Sequence, residues 1–283
     1  MSLNSVNTNM GAMIALQSLN VTQSQLSATQ KQISTGYRVA DATDDGAAYA
    51  IAQSVRSTVG SLTSANQQLG GVQGLLSTTQ SGLNDVSNTM ASMRDVLLKL
   101  ADQNVSGNER TQYAAQYTSY LAQVKTFIQD ANYNGKSLVG NISGSNGVFA
   151  RIAVVRNESG STYGISTFSG SALYTSIAFT ASQLNSATSV QAFLTATGTF
   201  LNTQNSLGSA LNTVGAEINY VNNQITYNSD KIDALNSGLG ALVDADLAKE
   251  SAQLTALQIR QQLGTQALSL ANSAPQTLLS LFK

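Results

Sequence analysis

A seven-residue repeat of large apolar side chains dominates the first half of this chain. Val55, Leu62, Leu69, Leu76, Leu83, Met90 and Leu97 recur at every seventh position, and Val72, Val86, Met93 and Leu100 fall three positions after members of that series. Such spacing lays one apolar seam along a helix, and it continues past the three or four heptads that mark a coiled coil. It predicts a helix over residues 45–100 which, at about 1.5 Å per residue, would run on the order of 80 Å. A helix that long needs packing along its side. The partner is visible late in the chain. There Leu211, Ile218, Ile225, Ile232 and Leu239 keep one register while Leu207, Val214, Val221, Leu235 and Leu242 keep the other. Tyr113, Tyr117, Tyr120, Val124 and Phe127 mark a third helix after the Ser106-Gly107-Asn108 break. Gly70, Gly71, Gly74 and Gly82 weaken the first long helix by about 1 kcal/mol each relative to Ala, and are predicted to permit close packing or slight bends.

The fold class that follows is mainly α: an elongated coiled-coil helical rod with paired N- and C-terminal helices and a small β-rich central insertion. That insertion is read over residues 132–189, where Gly, Ser and Thr punctuate short alternating runs, Val148 to Val154 and Ser176 to Thr180 among them, that look like strands and hairpins. The expected divisions are 1–40 for an N-terminal inner helix and connector, 41–131 for the rod helices and 132–189 for the β-rich outer region. Residues 190–238 then form the return helix and 239–283 the C-terminal inner helix.

The two ends are amphipathic and nearly uncharged. Leu3, Val6, Met10, Leu19, Leu26 and Ile33 supply large apolar positions at the start, and Leu247, Leu254, Leu257, Leu263, Leu270, Leu278 and Leu281 at the end. A single helix of this kind buries too little to hold itself in water, so the ends are expected to pair with each other and with neighbouring copies, ordering on assembly. They are the candidate polymerisation surface. The candidate rod seam is Leu62, Leu69, Leu76, Leu83, Leu97, Ile218, Ile225 and Ile232.

Composition narrows the chemistry. Charged residues are 10% of the chain, where about 25% is usual, and the formal net charge is -1. That balance gives no footprint for nucleic acid or an anionic membrane. Cysteine and histidine are both absent, which removes thiol chemistry, the commonest general base and the commonest metal ligand. No nucleophile, base and orienting group converge in a motif, so no enzyme, cofactor or metal site is expected. The opening residues have neither a basic stretch nor a continuous apolar one, so no cleavable secretory signal is expected, and no long uncharged run reads as a membrane span.

Four segments carry a family resemblance. Ile33-Ser34-Thr35-Gly36-Tyr37-Arg38-Val39-Ala40-Asp41-Ala42-Thr43-Asp44-Asp45-Gly46-Ala47-Ala48 resembles the bacterial flagellin segment written LSSGxRIxxAxDDAAG. Ala131 to Leu138, containing Asn134-Gly135, is similar to the family's xFNGxxLL turn. Toward the end, Val243 to Glu250 resembles the DxDxAxE run, and Leu270 to Phe282 the ANxxPQxxLxLL ending. The resemblance covers residues 1–135 and 190–283. It implies a subunit that self-assembles into the helical flagellar filament for motility and is exported unfolded through the flagellar type III apparatus to an extracellular filament. The implied partners are further copies of the chain, other flagellins, an export chaperone, a filament cap protein and a hook-filament junction protein. The alternative within the same superfamily is a junction protein itself.

The connector candidates are Gly36, Arg38, Asp41, Asp44 and Asp45. The acids beside Gly46 read as helix caps and dipole partners in preference to a metal site. The resemblance implies a hydrogen-bonding role for Arg38 between domains or subunits. Asp246 and Glu250, four apart, are read as a repelling pair, and Gly238-Leu239-Gly240 as a relaxation of the helix between rod and tail. Many flagellins carry an LQRxREL stretch recognised by an innate immune receptor. Here the run is Met90-Ala91-Ser92-Met93-Arg94-Asp95-Val96, with Ala91 and Ser92 in place of the Gln-Arg pair. Weak or absent recognition is expected, and strong receptor activation by pure filament would contradict it.

Overall fold

The computed structural model describes residues 8–281, with side chains described for 8–273. Eight helices carry most of this length: α1 Met10–Thr35, α2 Gly46–Leu100, α3 Gly107–Asp130, α4 Gly170–Ile177, α5 Ala181–Leu184, α6 Ala187–Leu194, α7 Thr199–Val243 and α8 Leu247–Leu281. The strands are short: β1 Lys136–Ser137 pairs in parallel with β2 Val148–Phe149, and β3 Ile152–Val155 pairs antiparallel with β4 Thr162–Ile165. The chain divides into two compact units. One is formed by Met1–Thr58 with Asp233–Lys283 and the other by Val59–Ile232.

In the Val59–Ile232 unit the heptad of α2 is the spine of the core. Leu62, Leu69, Leu76, Leu83, Met90, Met93, Leu97 and Leu100 are all buried to within about 1% of full burial. α7 faces them with Leu207, Val214 and Val221 buried, while Ile218, Ile225 and Ile232 are half-buried beside that line. Of the two registers read on the return helix, the one through Leu207 is therefore the deeper. α3 contributes Tyr117, Leu121, Val124 and Ile128, with Tyr113, Tyr120 and Phe127 packed partly against the core. The Tyr117 hydroxyl donates to the Ile177 carbonyl at 2.7 Å, and its ring begins a stack that continues through Phe179 to Phe193.

The loop between α2 and α3 is closed by a residue that pattern reading passes over. Ser106 opens α3 with a capping box, its hydroxyl accepting from the Glu109 amide while the Glu109 carboxylate accepts from the Ser106 amide. One residue further, Arg110 is buried and donates to the carbonyls of Leu100 at 2.6 Å and Asp102 at 2.7 Å, and more distantly to Leu184. It satisfies carbonyls at the end of α2 that the helix itself leaves open. Arg110→Ala is expected to destabilise this unit by about 3 kcal/mol, the scale of losing charged hydrogen bonds to buried acceptors. An urea midpoint unchanged from the parent would contradict that.

The turn after α3 is a two-residue hairpin. Asn134 and Gly135 both have positive φ, 48° and 72°, and Tyr133 and Lys136 exchange backbone hydrogen bonds at 2.8 and 3.0 Å. Asn-Gly is the pair that adopts this geometry most readily. It brings the Tyr133 ring onto α2 at Gly74, where a Cβ would come within 2.8 Å of Tyr133 Cζ. Gly74 thus makes room for an aromatic ring.

The middle region departs from the expected strands in its second half. The run read over Val148 to Val154 contains the strands Val148–Phe149 and Ile152–Val155, but Ser176 and Ile177 end α4, and Ala178 to Thr180 form the link to α5. Ser169, Thr180 and Ser186 cap three consecutive short helices through their hydroxyls. The alternation at 176–180 is accounted for by Ile177 and Leu173 facing the core from one side of a helix. The helix α7 also runs unbroken through Gly238-Leu239-Gly240 and ends at Val243, so those glycines do not mark its break. The break falls at Asp244–Asp246, beside the connector described below.

Candidate functional site

The terminal helices pair antiparallel within the Met1–Thr58 and Asp233–Lys283 unit. The Asn9 amide donates to the Ala271 carbonyl at 2.7 Å, Gln261 donates to the Gln23 side chain at 2.7 Å, and Tyr37 bridges to Asp244. Burial along α1 is lowest in exposure at Ala12, Ala15, Leu19, Thr22, Leu26, Thr29 and Ile33, alternating steps of three and four residues. Along α8 the same spacing runs through Glu250, Leu254, Leu257, Gln261, Gly264, Leu268 and Ala271. The pair is a heptad seam built from small and polar residues as much as from leucines. Gly264 lies where a Cβ would come within 3.3 Å of Leu19 Cδ1, which lets the two helices approach closely.

This seam divides the candidate polymerisation residues. Leu26 and Leu257 are buried between α1 and α8 within one chain, and Leu19, Ile33 and Leu254 are half-buried along the same line. Those five lie on the intrachain seam, where their heptad positions face the partner helix. Met10, Leu247, Leu263 and Leu270 point away and stay half to three-quarters exposed. Met13, Ile14, Leu16, Val21 and Ile259 join them. Leu3 and Val6 lie outside the described residues, and Leu278 and Leu281 fall where side chains are not described. So many large apolar side chains on the open faces of two adjacent helices are more than a lone soluble molecule usually carries.

The connector holds the base of the pair. α1 ends at Gly36, whose φ of 74° is the left-handed conformation that terminates helices. The chain then runs beside the end of α7: the amides of Arg38 and Val39 both donate to the Val243 carbonyl, the Ala245 amide donates to the Gly36 carbonyl, and the Arg38 guanidinium donates to the Leu242 carbonyl. Val39, Ala48, Ala52 and Val243 close a small core beneath it. Arg38 thus bonds within the chain here.

The acids of the connector take separate roles. Asp45 caps α2, its carboxylate accepting from the amides of Ala47 and Ala48. Asp41 and Asp44 instead grip Lys31 of α1 at 2.7 and 2.8 Å, and Asp44 also accepts from the amides of Ala40 and Asp41. Asp246 stands outside α8 and caps it through the amides of Ala248 and Lys249, so it is not a repelling neighbour inside the helix. The Lys31 hydrogen bond is the largest cause holding the carboxyls of Asp41 and Asp44 below their usual range, and for Asp41 a bond from the Thr43 hydroxyl adds to it. Hydrogen bonds to Asp41 and Asp44 raise the Lys31 ammonium in turn.

Lowered carboxyl pKa values contribute stability above the ordinary value near pH 4 and lose it as pH falls toward their folded values. The raised ammonium contributes below its ordinary value of 10.5 and loses it above. The clasp is therefore expected to hold between about pH 5 and 10 and to loosen below pH 4. Hydrogen exchange of connector amides should accelerate on acidification beyond its intrinsic pH dependence in the parent, and D41N/D44N should abolish that excess. An unchanged excess would contradict it.

Among the described residues no cluster of three or more His, Cys, Asp or Glu could hold a metal ion, and no helix is long and apolar enough to cross a membrane.

Residues 6–143 match the bacterial flagellin N-terminal helical region, and residues 194–282 match the bacterial flagellin C-terminal helical region. The chain is 33% identical to flagellin FljO of Caulobacter vibrioides over 287 aligned positions spanning 100% of both chains. This chain belongs to the bacterial flagellin family. A flagellin of Brucella melitensis is 34% identical over 99% of both chains. Flagellins are structural proteins, and membership supports a role as filament subunit. Among solved structures, a protein assigned as a flagellar hook-associated protein from Vibrio parahaemolyticus aligns over 71% of this chain and 100% of its own, with a TM-score of 0.60 at 15% identity. That likeness is one of fold. The full-length likeness is to flagellins, and the junction-protein alternative is not favoured.

Proposed function

We propose that this chain is a structural subunit that self-assembles into an extracellular helical flagellar filament, with the outward faces of α1 and α8 as its polymerisation surface. The observation that carries this reading is the exposure of Met10, Met13, Ile14, Leu247, Leu263 and Leu270 on two helices whose mutual seam is already filled. Burying each such side chain between copies contributes about 2 kcal/mol. Contacts between unlike faces of successive copies do not close on themselves, so they propagate an open helical polymer. On this reading residues 1–40 and 239–283 form the inner part of the filament, 41–131 and 190–238 the rod around it, and 132–189 the outward region.

Delivery is proposed to run unfolded through the flagellar type III apparatus, with an export chaperone, a cap protein at the tip and a junction protein at the base as partners. The near absence of strong charge and the lack of cysteine suit a chain that must pass unfolded and assemble outside. Purified chain seeded with filament fragments and salted out should give long filaments by electron microscopy and continuously rising light scattering. A plateau at an oligomer of fixed size would instead mean a closed coiled-coil scaffold.

A further inference from the structure

The α7 register that faces α2 runs through Leu207, Val214 and Val221, and its next member is Asn228. Leu235 then resumes the apolar series. Asn228 is thus a polar member of an otherwise apolar register, and it is completely buried, at 0% exposure. Both its amide nitrogen and its amide oxygen have partners. Its amide nitrogen donates to the Asn66 side-chain oxygen on α2 at 2.8 Å and to the Arg156 carbonyl after β3 at 3.0 Å, and its oxygen accepts from Gln224 at 2.9 Å. Asn66 returns a bond to the Ser229 hydroxyl at 3.3 Å. About one heptad away on each helix, Gln73 donates to Asn222 at 2.7 Å, which fixes the direction of the pair as antiparallel.

The apolar parts of these two helices do not distinguish one register from another. Leucine and valine repeat at seven on both, so a slip of one heptad would match apolar positions with apolar positions again. Such a slip would part Gln73 from Asn222 at the half-buried edge of the seam, and at its fully buried centre it would leave the Asn228 amide without Asn66 or Arg156 to receive it. We propose that Asn228, with Asn66, is the specificity-determining residue of the α2–α7 seam, setting the register of the antiparallel pair and, through Arg156, the seat of the β3–β4 hairpin on it.

The parent chain has no cysteine, so paired cysteines report register without background. In the full chain, Gln73→Cys with Asn222→Cys reads the observed register, and Gln73→Cys with Gly215→Cys reads a slip of one heptad; a Cβ at 215 meets open space. Each pair is refolded from denaturant and treated with a short thiol crosslinker, with and without Asn66→Leu and Asn228→Leu together. The expected result is crosslinking only in the observed register with the asparagines present. With both leucines, the slipped crosslink should rise by about tenfold, the equilibrium effect of losing discrimination by one satisfied polar group. Helicity should be kept, since leucines continue the apolar series. Slipped crosslinking that stays at the parent's level overturns the proposal. So does loss of helicity in the double leucine variant, because Asn228 would then be supporting stability and not choosing between registers.

Discussion

Leu263→Asp is expected to eliminate sedimentable filament while leaving the helicity of the monomer unchanged. Leu263 is 59% exposed on the outer face of α8, where an aspartate stays hydrated in the free chain at little cost. Between copies the same carboxylate would be buried against apolar side chains without a partner, a penalty of several kcal/mol per subunit that recurs at every addition to the polymer. The critical concentration should rise by at least about a thousandfold, beyond practical protein concentrations. Leu254→Asp tests a different location. Leu254 lies half-buried in the α1–α8 seam, so its replacement should disturb the terminal pair itself as well as assembly. Normal polymerisation by the Leu263 variant would remove α8's outer face from the interface.

Leu76→Asp should unfold the Val59–Ile232 unit outright. Leu76 is at 0% exposure in the middle of the α2 heptad, inside the cluster that joins α2, α3 and α7. Losing a buried leucine costs about 2–5 kcal/mol by itself, and an unpaired carboxylate in its place adds more. Against a typical stability of about 5–15 kcal/mol the sum removes most or all of the margin. Far-UV circular dichroism should show a large loss of helix at 25 °C, whereas Leu263→Asp should show none. A Leu76→Asp chain with parental helicity and midpoint would mean that the heptad is not the core.

The contrast between these two leucines shows what the sequence made legible. Large apolar residues at strict sevens, Leu62 through Leu97, could be read as a seam because nothing else explains the regularity. The connector motif and the Asn134-Gly135 turn were equally readable, since each specifies a local backbone. The α1–α8 seam was not. Its inward line includes Ala12, Ala15, Thr22, Thr29, Gln261 and Gly264, so counting large apolar side chains placed Leu26 and Leu257 with the outward residues they oppose. Small residues bury fully with little apolar signal. The helices α4 to α6 were hidden for a related reason: helices of four to eight residues show two turns of periodicity at most, and Ser and Thr there act as caps where composition suggests strands. Arg110 carries no pattern signal and Asn228 shows only as a gap in a heptad register, because a buried polar residue is defined by the carbonyls and amides that meet it in space.

A single cysteine introduced in turn at position 14 and at position 263 measures the central claim directly, because the parent chain has none. Thiol labelling by a maleimide is compared in the dilute monomer and in assembled filament. Both sites should label freely in the monomer and be protected by about a hundredfold or more in the filament, the extent set by how rarely buried contacts between copies open. Equal labelling of monomer and filament at both positions would contradict the assignment of these helix faces to the interface between copies.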